Sequence, residues 1–246
     1  MTDGTDAGVA ARLAATGARV ERAAASAGRP GGVLLVAVSK GQPAAAIRAA
    51  YAAGQRHFGE NYVQELTRKA SELADLEDLR FHLIGHLQRN KAKHVVKLAQ
   101  AVHSVDGVAL AEELGRRATG LEIPQARRAF GGDARLPVLC EVSIAGEEQK
   151  GGVAPSALPE LLDAIDRQRT LRLVGLMAVP PVAGDATPHF RALARLRDAH
   201  GGTARLPELS MGMTADFEQA IAAGATVVRV GSAIFGQRPA RKSAEA

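Results

Sequence analysis

Short apolar runs alternate along this chain with longer segments in which apolar residues recur at helical spacing. In the first run, residues 33–40, six of the first seven positions are apolar and three are valines. This pattern predicts a strand buried on both faces, as in a parallel sheet. Seven further strands are predicted, at 57–59, 80–85, 101–105, 137–144, 171–179, 209–212 and 226–230. Helical patterns separate the strands, and an additional helix at 5–27 precedes the first of them.

Strict alternation of strands and helices indicates a parallel sheet with its helices outside. Eight such units in 246 residues predict one closed (β/α)8 barrel of the TIM type, an α/β fold, with an extra N-terminal helix. An open doubly wound sheet is the rival, although it usually needs fewer units. The predicted division is a single domain over 1–246, with the N-terminal helix within 1–30, a flexible arginine-rich loop at 120–135 and a tail at 237–246.

Composition narrows the classes of function. The formal net charge of +5 favours small anionic ligands, but aromatic residues make up only 3% and do not interleave with a basic face, so specific nucleic-acid recognition is not expected. Cys140 is the single cysteine, so no intrachain disulfide can form and a reducing, cytoplasmic setting is expected. We find no signal peptide and no apolar run of membrane-spanning length, and we expect a monomer.

Lys40 ends the first predicted strand, directly before Gly41, Gln42 and Pro43. A lysine at the end of a buried strand either extends its ammonium to water or has its pKa lowered by desolvation. In the second case it is an amine nucleophile that can form a Schiff base with an aldehyde. The strand by itself favours the first interpretation.

The ends of the seventh and eighth predicted strands combine hydroxyl groups with glycines. Ser210 and Ser232 offer hydroxyl donors, and Gly212 and Gly231 allow close approach of backbone N–H groups to an anion. A helix predicted to begin at Thr214 would point its N-terminus at the same place. Barrels commonly bind phosphate after these two strands, so we predict a phosphate site. Ordinary turn chemistry is the alternative.

Arg229 interrupts the apolar eighth strand. A buried guanidinium is costly unless it meets an anion or an acceptor, and an ion pair with a carboxylate on a neighbouring strand is an equally weighted alternative. If Lys40, the phosphate site and Arg229 serve one ligand, that ligand has an aldehyde at one end, a phosphate at the other and an acceptor between them. Pyridoxal 5′-phosphate (PLP) fits this description.

His82 and His86 share one face of the third predicted strand. A metal pair is conceivable, but no third ligand is recognisable, so we interpret them as a core histidine and a rim histidine and predict no metal site.

Six segments, in chain order, resemble a known family. They are 37–40 (Ala-Val-Ser-Lys), 58–65, 81–91, 175–178, 209–214 and 228–236. They resemble the PLP homeostasis proteins of the YggS/PROSC type, single-domain relatives of the alanine racemase N-terminal barrel, which belongs to fold-type III. The resemblance covers about residues 33–236.

The resemblance implies a PLP homeostasis function and a set of cofactor-binding residues. It implies a Schiff base at Lys40, phosphate contacts from four residues, the pyridine nitrogen beside an arginine, and two further residues lining the pocket. Those seven residues are Ser210, Gly212, Gly231 and Ser232 for the phosphate, Arg229 for the ring nitrogen, and Asn61 and Met177 for the lining.

Two functions of different class follow from this resemblance. The first is a PLP carrier without catalytic residues that supplies apo PLP-dependent enzymes, and the second is a PLP-dependent amino-acid racemase. A phosphosugar-binding barrel enzyme is a third, weaker alternative. Related racemases bring a catalytic tyrosine from an added β domain, whereas this sequence ends ten residues after Gly236 and no motif places Tyr51 or Tyr62 as a second base. The carrier is therefore expected.

Overall fold

The computed structural model describes residues 6–121, 130, 134–146, 151–181 and 183–237. Its centre is a closed barrel in which eight strands pair in chain order and each neighbouring pair is parallel. The strands are β1 (Leu34–Val38), β2 (His57–Glu60), β3 (Arg80–Leu83), β4 (Ala99–Val105), β5 (Leu136–Glu141), β6 (Leu171–Met177), β7 (Glu208–Ser210) and β8 (Val227–Val230). The predicted (β/α)8 barrel is confirmed.

Helices cover the outside of the barrel. They are α1 (Asp6–Ser26), α2 (Ala44–Ala52), α3 (Val63–Glu72), α4 (Ala92–Leu98), α5 (Val108–Ala118), α6 (Leu158–Asp166), α7 (Thr187–Ala199), α8 (Gly202–Arg205), α9 (Phe217–Ala222) and α10 (Ser232–Phe235). Short 3-10 turns precede α4 and α6. The predicted N-terminal helix is present as α1, and it packs against α2, α9 and α10. No helix among these residues is long and apolar enough to cross a membrane.

The register of the strands brings the predicted functional residues to one end of the barrel. β1 closes the barrel by pairing with β8, with Ala37 opposite Val230, and it pairs on its other side with β2, with Val38 opposite Gly59. Asn61 and Gly231 directly follow β2 and β8, and Lys40 follows β1 after Ser39. They therefore share the carboxyl-terminal end of the barrel, where enzymes and binding proteins of this fold hold their ligands.

Two predicted helix boundaries are wrong. The helix expected at 214–223 begins only at Phe217, because residues 213–216 form a turn in which the Met213 N–H donates to Asp216 Oδ1 over 2.6 Å. Thr214 therefore lies in a turn, three residues before the helix that was expected to begin there. The basic segment at 88–100 also predicts a single helix from its sequence, but α4 ends at Leu98 and β4 begins at Ala99.

Part of the predicted loop at 120–135 packs against the barrel. Residues 122–129 and 131–133 lie outside the described residues, as do 238–246 of the predicted tail. Phe130 is described. Its ring forms edge-type contacts with the rings of His82 and His103, with distances of 5.8 and 6.3 Å between ring centroids. Its carbonyl accepts a hydrogen bond of 2.9 Å from Arg172 Nη2. This phenylalanine is therefore attached to the barrel interior.

Candidate functional site

A cavity of about 870 Å³ opens at the carboxyl-terminal end of the strands. Five of the eight predicted site residues line it, namely Lys40, Asn61, Arg229, Gly231 and Ser232. Apolar wall is supplied by Val38 and Ile84, and by Val179, which is unusually exposed for a large apolar residue. The cavity therefore combines an amine, a guanidinium and a hydroxyl with an apolar surface.

Buried charges fix the turn that carries Lys40. Lys69 of α3 is fully buried, and its ammonium donates to the Ser39 carbonyl over 2.6 Å and to Glu60 Oε1 over 2.7 Å. Ser39 Oγ donates to the same Glu60 oxygen over 2.6 Å. On the other side of Lys40, the Gly41 N–H donates to Glu65 Oε2 over 2.7 Å.

This network also carries an electrostatic cost. Glu65 Oε2 accepts a second bond, of 2.9 Å, from Lys69, so one ammonium serves two carboxylates and a carbonyl. Burial raises the pKa of Glu60 even though Lys69 acts in the opposite direction. Breaking such a buried pair by removing one partner is strongly destabilising. The sequence analysis missed this support for Lys40, because the i, i+4 spacing of Glu65 and Lys69 is also that of an ordinary exposed pair on a helix.

Two hydroxyl groups meet after β7 and β8. Ser232 Oγ donates to Thr214 Oγ1 over 3.2 Å, and both residues line the cavity. Ser232 also begins α10, and the first N–H groups of any helix have no acceptor within that helix. Thr214 was expected only as the start of a helix, so its hydroxyl is a site group that the sequence analysis missed.

The two predicted phosphate glycines have different surroundings. Gly231 lines the cavity, and a Cβ there would lie 3.2 Å from the Val38 carbonyl oxygen, so the close approach of β8 to β1 favours glycine. Gly212 has φ of +93° and is not among the cavity residues. A Cβ at Gly212 would lie 2.6 Å from Ala220 Cβ. Glycine is therefore needed there because α9 packs against the turn.

Arg229 is almost completely buried, and its guanidinium is held by neutral groups. Nη1 donates to Ser210 Oγ over 2.6 Å and Nη2 donates to the Ala178 carbonyl over 3.0 Å. Neither of these partners is the neighbouring-strand carboxylate considered above. Burial lowers the pKa of Arg229 to about 10, although Glu141 acts to raise it, so the group is cationic at neutral pH. The cavity thus contains a fixed positive charge.

Ser210 and Met177 are fully buried and are not among the residues that line the cavity. The Ser210 hydroxyl contacts Arg229 and also His103 Nδ1, at 2.9 Å. Met177 belongs to a small apolar cluster with Leu139 and Val174, against which Phe130 packs. Their predicted contacts with a ligand, like that of Gly212, stay predictions.

His82 lies in the core and His86 lies at the rim. His82 forms hydrogen bonds with His57 (2.8 Å between ring nitrogens) and His103 (2.9 Å), whereas His86 is exposed beside Asp106. Two nitrogens bound to one tetrahedral zinc would be roughly 3.3 Å apart, so these contacts are direct hydrogen bonds. Within the described part of the chain, no group of three or more His, Cys, Asp or Glu could hold a metal ion.

The three linked histidines are neutral at pH 7. Burial lowers the pKa of His57 to about 4 and that of His103 to about 3, with smaller effects from Arg80 and Arg229 respectively. Burial also lowers the pKa of His82, and both neighbouring histidines and Arg80 act in the same direction.

These shifts predict a loss of stability in mild acid. Each folded pKa lies below the unfolded value of about 6.5, so the unfolded chain binds more protons once the pH falls below that value. The free energy of unfolding should therefore decrease from pH 7 to pH 5. Denaturant titrations of wild type and His103→Asn at both values test this, because the carboxylates contribute equally to both proteins. The free energy of unfolding should decrease less in the variant than in wild type. Identical decreases would contradict the assignment of His103 as a buried histidine that is neutral in the folded protein.

Comparison with known proteins now adds to this geometry. Residues 12–239 match the family model described as the alanine racemase N-terminal domain. The pyridoxal phosphate homeostasis protein of Pseudomonas aeruginosa is 44% identical over an alignment of 236 positions, which covers 94% of this chain and 96% of that protein. The human protein of the same name is 36% identical over an alignment of 248 positions, which covers 94% of this chain and 87% of that protein. This chain belongs to the alanine racemase N-terminal domain family.

Solved structures agree with this membership in the alanine racemase N-terminal domain family. PipY of Synechococcus elongatus PCC7942, solved with PLP bound, is 39% identical with a TM-score of 0.76, and the match covers 93% of this chain and 100% of PipY. Alanine racemase from Streptomyces coelicolor A3(2) has a TM-score of 0.67 at 22% identity, and the match covers 95% of this chain and 59% of the racemase. At this identity, the comparison with the racemase shows the fold alone. The resemblance stated from the sequence is confirmed.

Proposed function

We propose that this protein binds PLP at the carboxyl-terminal end of its barrel and acts in PLP homeostasis, as a cofactor reservoir with little or no catalysis. The observation that carries the proposal is that Lys40, Arg229 and the Thr214–Ser232 hydroxyl pair line one cavity. The names of its relatives, and the PLP bound to PipY, support the same assignment.

The groups present fit the cofactor. Lys40 supplies an amine for the aldehyde, and Thr214, Ser232 and the adjoining backbone N–H groups supply donors for the phosphate. Val38 and Ile84 supply apolar wall for the ring. When bound, PLP supplies a reactive aldehyde and an aromatic ring that can act as an electron sink.

The proposed position of Arg229 beside the ring nitrogen favours the reservoir function over catalysis. A guanidinium has no acceptor, so beside the ring nitrogen it can only donate a hydrogen bond to the unprotonated form. Its positive charge also disfavours protonation of that nitrogen, which weakens the ring as an electron sink. Nitrogen-15 NMR of labelled cofactor measures this directly: an unprotonated nitrogen at neutral pH is expected, and a protonated one would refute the placement of Arg229.

Binding of the PLP phosphate should depend on the two hydroxyl groups that line the cavity. A hydrogen bond to a charged group contributes about 1.5–3 kcal/mol, so Thr214→Ala combined with Ser232→Ala should weaken PLP binding by at least roughly tenfold. Equilibrium titration measures the effect, with Thr67→Ala as a control because that hydroxyl lies on α3 and bonds to the Val63 carbonyl. Pyridoxal without its phosphate should bind wild type poorly. Equal affinity for the two compounds would contradict a phosphate site.

Assays of the loaded protein separate the reservoir from the racemase-like alternative. General acid–base catalysis typically contributes about 10²–10⁴-fold, and we assign no residue of the cavity to that role. Racemisation, transamination and decarboxylation are measured across the common amino acids. Turnover should stay far below the enzyme median of about 10 s⁻¹, and a value near that median would overturn the reservoir function.

The recipients of the cofactor, the compartment and the assembly state belong to the same proposal. We assign apo PLP-dependent enzymes as recipients, the cytoplasm as the compartment and a monomer as the working form. The compartment is supported by Cys140, the single cysteine of the sequence, which is fully buried and whose thiol pKa is raised by that burial. Such a thiol suits a reducing environment.

A further inference from the structure

A chain of hydrogen-bonded side chains crosses the interior of the barrel and ends on Arg229. Each member contacts the next through a single pair of polar atoms. In order, the members are Arg229, Ser210, His103, His82, His57 and Arg80, and the successive distances are 2.6, 2.9, 2.9, 2.8 and 3.4 Å. The chain therefore joins β8 and β7 to β4, β3 and β2.

The donors and acceptors available on each side chain fix the direction of these hydrogen bonds. Both terminal residues are arginines, which only donate, and a neutral imidazole has one N–H and one acceptor. If Arg80 donates to His57 Nε2, then His57 carries its proton on Nδ1 and donates to His82, which donates in turn to His103. His103 then donates from Nδ1 to the Ser210 hydroxyl oxygen.

Ser210 completes this arrangement because a hydroxyl oxygen has two acceptor sites. One accepts from His103 Nδ1 and the other accepts from Arg229 Nη1. The opposite direction would place a proton on His57 Nε2, facing the guanidinium of Arg80, where two donors would meet. Only the first direction satisfies all five contacts.

We infer that His103, with His82 and His57 behind it, is a positioning residue that orients the Ser210 hydroxyl as a double acceptor and thereby fixes the Arg229 guanidinium at the cavity. The carbonyl of Ala178 fixes the second end of the guanidinium through Nη2. The part of this inference that concerns the cofactor rests on the proposed function, whereas the part that concerns Arg229 does not.

The surroundings favour a fixed chain. His82 and His103 are fully buried, and the ring of Phe130 meets both imidazoles, so water does not compete for their nitrogens. Burial also keeps all three imidazoles neutral, through the lowered pKa values given above. Three neutral imidazoles of this kind orient a guanidinium without adding a second positive charge beside it.

The first test uses the cofactor-free protein and nitrogen-15 NMR. The three histidines should show the Nδ1–H tautomer, and rotation about the guanidinium of Arg229 should be slow. In His103→Phe that rotation should accelerate, whereas His103→Asn retains a donor at the place of Nδ1 and should keep it slow. The exposed His94→Phe is the control. An Nε2–H tautomer at His103, or unchanged rotation in His103→Phe, would overturn the inference.

The second test uses the PLP-loaded protein. His103→Phe should weaken PLP binding by roughly tenfold or more and shift the nitrogen-15 signal of the pyridine ring, and His94→Phe should change neither. Should His103→Phe not fold, Ser210→Ala removes the same double acceptor and should give the same two changes. PLP that binds with an unchanged ring signal in these variants would overturn the positioning function and leave the proposed function intact. Slow rotation of Arg229 without PLP binding would instead refute the proposed function alone.

Discussion

Lys69→Met is expected to lower the free energy of unfolding by about 3–5 kcal/mol, the usual effect of removing one partner of a buried ion pair. The Lys69 ammonium is fully buried and neutralises Glu60 while also bonding to the Ser39 carbonyl. Glu60 Oε2 already has no hydrogen-bond partner within the described residues, so the loss of Lys69 leaves that carboxylate almost unsupported. Denaturant unfolding measures the change.

Two variants control this result. Arg48→Ala breaks an ion pair with Asp75 that is exposed to solvent, and it should have only a small effect because water and salt screen such pairs. Combining Lys69→Met with Glu60→Gln removes both buried charges and should recover part of the lost stability. Equal losses for Lys69→Met and Arg48→Ala would contradict the account of the buried network.

Lys40→Ala is expected to abolish covalent attachment of PLP. Lys40 lines the cavity just after β1, and a Schiff base with the aldehyde of PLP requires a side-chain amine. The visible absorbance band of the bound cofactor should disappear, and borohydride should leave no adduct on the peptide that contains residue 40. Lys97→Ala, on the exposed face of α4, is the control and should behave as wild type. An adduct that persists on that peptide in Lys40→Ala would contradict the assignment.

The sequence predicted the residues whose position depends on strand order alone. In a closed parallel barrel the carboxyl ends of all strands meet at one end. A residue that directly follows a predicted strand is therefore placed there without further information. This is why Lys40, Gly231 and Ser232 were predicted from the strand ends, whereas Asn61 was expected from the family resemblance. All four line the cavity.

Residues whose role depends on contacts between distant strands were harder to predict. A hydroxyl at the end of β7 suggested a phosphate ligand, but the direction of Ser210 is set by Arg229 on β8 and His103 on β4. The hydrogen bonds that link His57, His82 and His103 were missed for the same reason, because strand register decides which of these histidines contact each other. Thr214 was read as a helix start because the bond from Met213 to Asp216 that ends this turn is not visible as a hydrophobic pattern.

Helix periodicity also concealed the support for Lys40. Lys69 and Glu65 are spaced as a solvent-exposed pair on α3, the usual setting for such charges. Lys69 is instead buried because the turn after β1 places the Ser39 carbonyl and Glu60 against it. The sequence alone does not contain that long-range contact.

Transfer of PLP from the loaded protein to an apo PLP-dependent enzyme tests the central claim most directly. The loaded protein, freed of unbound cofactor, is mixed with an excess of the apo enzyme, and both the enzyme's activity and the PLP remaining on Lys40 are followed over time. A matched solution of free PLP provides the reference. We predict that the activity of the enzyme rises in proportion to the amount of PLP that is lost from Lys40. PLP that stays on the protein while the apo enzyme remains inactive would contradict the reservoir function.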